Sequence, residues 1–137
     1  FLNQKLKIAL KHSLVPIFCV GEGLEERSVG KQNDIVEGQL IKGLEGLKFT
    51  HEELVIAYEP VWAIGTGKTA SANEAEEMHA FIRKVLKDNG FDSKVKLLYG
   101  GSVKPGNSIE LMSQKNIDGS LVGGAALNAK DFLSIIN

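Results

Sequence analysis

Two hydrophobic rhythms alternate along the chain. Leu2, Leu6, Ala9 and Leu10 have the spacing of an amphipathic helix that ends near Ser13. Val15-Pro16-Ile17-Phe18-Cys19-Val20 is a short continuous apolar run, the pattern of a buried parallel strand. A second helix is predicted over 33–47, with Val36, Leu40, Leu44 and Leu47 on one face. Gly38 and Gly43 inside it each cost ~1 kcal/mol relative to alanine, so it depends on packing. A β-favouring run over 54–58 precedes a helix over 72–89 that buries Ala75, Met78, Ile82, Val85 and Leu86, with Gly90 as its C′ stop. A third strand is predicted over 95–99, a short helix over 108–114 and a fourth strand over 119–122. A last helix runs through Phe132, Leu133 and Ile136 with Asn128 as cap. Four strands alternating with helices, without hairpin turn signals, predict one parallel α/β unit over 1–137.

The predicted strands end in glycine or polar residues: Gly21-Glu22, Glu59, Gly100-Gly101-Ser102 and Gly123-Gly124. These ends lie on one side of a parallel sheet, where such folds place their sites. Glu59 is followed by Pro60, which halts ladder pairing and biases Glu59 toward an extended backbone. The stretch Pro60-Val61-Trp62-Ala63-Ile64-Gly65-Thr66-Gly67-Lys68 then reads as an apolar lid, and Ser71 with Glu74 spells a capping box that opens the next helix. Closing Val61, Trp62 and Ile64 over Glu59 would exclude water and make the carboxylate a stronger base, suited to proton abstraction. Glycines at strand-to-helix turns allow close approach of backbone N–H groups to an anion. Gly65 together with the two glycine pairs therefore favours a bound phosphate over mere tight turns.

Other signals narrow the picture. Gly67-Lys68-Thr69 imitates the end of a nucleotide-binding P-loop, but the motif's first glycine is replaced by Trp62. Sixteen basic and seventeen acidic residues are scattered with a net charge of −1, which gives no basic patch for nucleic acid and no membrane-surface signal. The apolar runs fall well short of a bilayer span. The single cysteine, Cys19, excludes an internal disulfide, suits a cytoplasmic location and is expected to be buried and inert inside its strand. His12, His51 and His79 have no metal-ligand spacing and are expected to serve surface or packing roles. Glu22 reads as a polar anchor for the lid or as a simple loop acid. The chain begins with Phe1 in what reads as helix interior, as a piece of a longer protein would.

The string from Tyr58 to Ala70 closely resembles the glutamate-plus-lid segment of the triosephosphate isomerase family. So do residues 16–22, 98–105 and 118–127, in matching order and spacing. The resemblance covers essentially the whole chain and implies the C-terminal half of a TIM (β/α)8 barrel, strands five to eight. It implies that Glu59 shuttles a proton between adjacent carbons of dihydroxyacetone phosphate and glyceraldehyde 3-phosphate through an enediolate, with no cofactor or metal. A glutamate base beside a neutral histidine is the family's established pattern, so this role is carried over from the family. The resemblance places phosphate contacts at Gly65, Ser102, Gly123 and Gly124, pairs Arg83 with Asp118 behind the site, and makes Glu22 hold Trp62 when the lid is open. It implies a homodimer for the complete enzyme. The family's histidine, lysine and further polar site residues come from strands one to four, which this sequence lacks. A catalytically silent phosphate-binding half-barrel is therefore the alternative, and its open barrel edges are expected to drive self-association.

Overall fold

A computed structural model describes residues 1–65 and 68–136. Helix α1 (Leu2–Lys11) leads into strand β1 (Ile17–Val20), a short helix α2 (Leu24–Ser28) and helix α3 (Gln32–Leu44). Strand β2 (Val55–Tyr58), helix α4 (Ala72–Asp88), strand β3 (Lys96–Tyr99), helix α5 (Pro105–Met112), strand β4 (Gly119–Ser120) and helix α6 (Ala129–Ile136) follow. The four strands are all parallel and lie side by side in sequence order. With no reversal of order, right-handed crossovers put every connecting helix on the same face of the sheet. This is the local geometry of a barrel wall, whereas a doubly wound sheet has helices on both faces.

Burial follows that geometry. Phe18, Val20, Ile56, Tyr58, Leu97 and Tyr99 point toward the helices and pack with Leu6, Val36, Leu40, Leu44, Met78, Ile82 and Leu86 in one core. The opposite face is open: Ile17 is 48% exposed and Cys19 is exposed. The apolar run of β1 predicts burial on both faces, and the structure corrects this, because helices cover only one. Cys19 belongs to the open face and is exposed. Gly43, a cost to α3 in isolation, makes its packing possible: a Cβ there would sit 2.3 Å from the Phe18 ring.

Several element bounds differ from the periodicity. Helix α3 stops at Leu44 because Glu45 leaves helical geometry and Gly46 adopts a φ of 66°. Helix α5 starts earlier than expected, with Pro105 in its first turn and the Lys104 N–H donating to Asn107 Oδ1 at 2.7 Å. Strand β4 is reduced to two residues, although the Leu121 N–H still reaches the Tyr99 carbonyl at 2.9 Å. Beneath the sheet Arg83 of α4 donates to the Ser93 carbonyl at 2.7 Å and to Asp118 Oδ2 at 2.6 Å. Asp118 Oδ2 also accepts the Leu97 N–H at 2.8 Å. One guanidinium thus ties a helix to the entrances of β3 and β4.

Candidate active site

The strand ends converge on a cleft of about 660 Å³ whose walls include Glu59, Gly65, Ser102, Gly123 and Gly124. Glu59 enters it because the sheet leaves no alternative. Its N–H donates to the Val20 carbonyl at 2.8 Å, which continues the β2 ladder one residue beyond Tyr58. The alternation of the strand then turns its side chain to the open face. Two glycines make the space. A Cβ on Gly21 would lie 1.8 Å from the Glu59 carbonyl oxygen, and one on Gly100 would lie 2.6 Å from Glu59 Cγ. The Gly21 backbone is in turn held by Gln39 of α3, whose Oε1 accepts its N–H at 2.8 Å while Nε2 donates to its carbonyl at 2.9 Å.

Cys19, two positions before Gly21 on the open face, is the carboxylate's neighbour. Its thiol is pushed up, first by partial burial and then by the negative charge and hydrogen bonding of Glu59.

The segment after Glu59 forms a single 3-10 turn, Val61–Ala63, with the Val61 N–H donating to the Glu22 carbonyl at 3.0 Å. Val61 is 54% and Ile64 45% exposed, so these apolar residues do not seal Glu59 from water. Ala63 is buried, and its carbonyl accepts the Ser102 hydroxyl at 2.8 Å. Ser102 therefore links the loop to the turn after β3, and Asn107 fixes that turn by donating to the Ser102 carbonyl at 3.0 Å. Thr66 and Gly67, expected as the far part of the lid, lie outside the described residues, as does Asn137.

Glu22 is 0% exposed and faces away from the cleft. It accepts Trp62 Nε1–H at 2.8 Å, the Tyr58 hydroxyl at 3.1 Å and Arg27 Nη1–H at 3.2 Å. Burial, then the Glu22 charge, drives the Tyr58 hydroxyl pKa far above its ordinary value, so Tyr58 is a fixed donor. The sequence reading passed over Arg27, Tyr58 and Gln39. Gly23 followed by acidic Glu25 and Glu26 is a helix-start signal that would have exposed α2 and its Arg27. The amide pairing of Gln39 has no local signature.

The histidines are elsewhere. His12 is exposed, and His51 pairs with Asp92 at 3.0 Å near the strand entrances. His79 is buried on α4 between Tyr58 and Tyr99, its ring 5.7 and 6.3 Å from theirs. Among the described residues no group of His, Cys, Asp and Glu is arranged to hold a metal ion, and no helix is long and apolar enough to cross a membrane.

A family model described as triosephosphate isomerase matches residues 1–137. The triosephosphate isomerase of Syntrophotalea carbinolica is 52% identical over 141 residues, covering 99% of this chain and 56% of that protein. That of Clostridium botulinum strain Okra is 52% identical over 140 residues, again 99% and 56%. That of Citrifermentans bemidjiense is 53% identical over 139 residues, 98% of this chain and 55% of that protein. The chain spans a little over half the length of these curated relatives.

Proposed function

The chain belongs to the triosephosphate isomerase family, and on that premise we propose that it supplies strands five to eight of a (β/α)8 barrel, with the general base and phosphate cradle of a triose phosphate isomerisation. The observation that carries this reading is the position of Glu59, whose carboxylate enters a glycine-lined cleft at the carboxyl ends of parallel strands. Glu59 would remove a proton from the carbon next to the substrate carbonyl and return it to the neighbouring carbon, leaving an enediolate in between. Gly65, Ser102, Gly123 and Gly124 would present N–H and O–H donors to the substrate phosphate, holding the reacting carbons against the carboxylate. The residues 60–68 would cover the site during the transfer, with Glu22 as the rest position of Trp62. The reading needs no cofactor and fits a cytoplasmic protein that forms a homodimer when complete.

One observation favours a second reading for the 137-residue chain by itself. Among the described residues no histidine lines the cleft, so the group that would polarise the substrate carbonyl in this family has no counterpart there. Alone, the chain would bind phosphate without appreciable turnover. The deciding experiment is a coupled assay on glyceraldehyde 3-phosphate with the longest natural protein that carries this chain, together with its Glu59→Gln variant. A general base contributes ~10²–10⁴-fold, and a loss in that range is the expected result. A Glu59→Gln enzyme within a few-fold of the natural one would overturn the assignment.

A further inference from the structure

Arg27 stands on α2, outside the cleft, and makes three contacts at once. Its Nη1 donates to Glu22 Oε1 at 3.2 Å, its Nη2 donates to Glu74 Oε1 at 2.8 Å, and its guanidinium carbon lies 4.9 Å from the centre of the Trp62 ring. Each contact has its own logic. Glu22 is a fully buried carboxylate, and its two neutral donors, the Tyr58 hydroxyl and the Trp62 N–H, leave its charge uncompensated; Arg27 supplies the counter-charge. Trp62 is edge-anchored by its N–H on Glu22 and face-anchored by the cation over its ring. Glu74 serves two partners with different oxygens. Oε2 accepts the Ser71 N–H at 2.9 Å and its hydroxyl at 2.8 Å, completing the α4 capping box, while Oε1 holds Arg27.

Trp62 is at the near end of the loop that follows Glu59, and Ser71 closes its far end. The same planar guanidinium therefore grips both ends of one loop. From this we infer that Arg27 is a positioning residue that sets the rest position of the loop, holding the indole on Glu22 by stacking and bridging it to the start of α4. The inference rests on the proposed function in one respect: only if the loop covers Glu59 does its rest position govern turnover. A lysine could neutralise Glu22 but offers no plane to stack on Trp62 and no fork to span two carboxylates. A two-ended grip thus depends on arginine at this position.

Trp62 is the chain's only tryptophan, so emission and acrylamide quenching report on this one indole at the near end of the loop. In Arg27→Gln the indole should shift to longer wavelength, with the released population raised ~3-fold or more, the factor carried by a partly exposed cation–π contact. Arg27→Lys should fall between the natural chain and Arg27→Gln. Glu74→Gln keeps the cap, since glutamine serves equally at that position, and should give a smaller shift in the same direction. If Arg27→Gln does not fold because Glu22 is left without a counter-charge, the pair Glu22→Gln with Arg27→Gln removes that charge, and the indole should still be released. Natural quenching in the folded variant that lacks Arg27, single or double, overturns the inference, as does full restoration by lysine. Titrating the natural chain with inorganic phosphate tests the cradle separately. A missing phosphate response would weaken the proposed function while leaving the Arg27 measurement to stand or fall by itself.

Discussion

Gly21 and Gly100 both crowd Glu59, but they crowd different atoms, and the difference sets their consequences. A methyl on Gly21 would meet the Glu59 carbonyl at 1.8 Å, backbone against backbone, with Gly21 held by Gln39 and the Glu59 N–H by the Val20 carbonyl. A methyl on Gly100 would meet Glu59 Cγ at 2.6 Å, a side-chain atom that can swing toward the open face. Gly21→Ala should therefore cost ~3 kcal/mol or more in urea unfolding, the upper range of overpacking, and Gly100→Ala ~1 kcal/mol. Gly100→Ala should instead displace the carboxylate, and Cys19 is the reporter. With Glu59 moved away the thiol loses a neighbour that holds its pKa up. Alkylation of Cys19 at neutral pH should then run faster than in the natural chain; an unchanged rate would mean the carboxylate had stayed in place. At this scale the sequence was informative about placement: Pro60 marked Glu59 as the end of its strand, and Asn128 was legible as a helix cap. It misled on Cys19, because an apolar run does not reveal whether one face or two will be covered.

At the scale of elements, α4 was the most legible. Ser71 and Glu74 announce its start, Gly90 with a φ of 75° sits at its end, and Ala75, Met78, Ile82, Val85 and Leu86 are buried as the period requires. Helix α2 was passed over because five residues are too few for periodicity to register, and β4 was overlong because nothing local marks where a strand loses its partner. Helix α4 also carries the clearest acid sensitivity. His79 packs between two tyrosines with Nδ1 2.7 Å from the Ala75 carbonyl, and burial pushes its pKa down despite the Ala75 and Leu98 carbonyls. Since the folded chain resists protonation, the unfolded chain binds the proton first. This contribution to stability is complete above the ordinary histidine value of ~6.5 and is lost as pH falls through the folded value. Between pH 7.5 and 5.5 the unfolding free energy should decline, by at most ~1.4 kcal/mol per pH unit from this one group. Denaturant midpoints of His79→Gln across the same range should flatten; an equal slope would assign the acid sensitivity elsewhere.

At the scale of the whole molecule, the helix-covered face and the bare face are the dominant contrast. The alternation of four strands and helices was readable from hydrophobic rhythm alone, whereas the shared side of the crossovers needed topology. In the 137-residue chain by itself β1 has a pairing partner only in β2, and β4 only in β3, among the described residues. Both outer edges offer backbone groups to another strand, and Val15 and Ile17 add apolar surface beside one of them. Self-association is the expected outcome, seen by light scattering over a dilution series, and Ile17→Lys should weaken it. A compact monomer at micromolar concentration, unfolding cooperatively, would rule it out. The cleft is also supported unevenly. Glu59 rides on a strand paired along both sides, but Gly123 and Gly124 follow a two-residue strand and precede α6, of whose described residues none is buried. Hydrogen-exchange protection should therefore fall steeply across the cleft, from β2 to the glycine wall. An anion seated there would act as a fastener, spending part of its binding free energy on closing local openings of the segment that holds it.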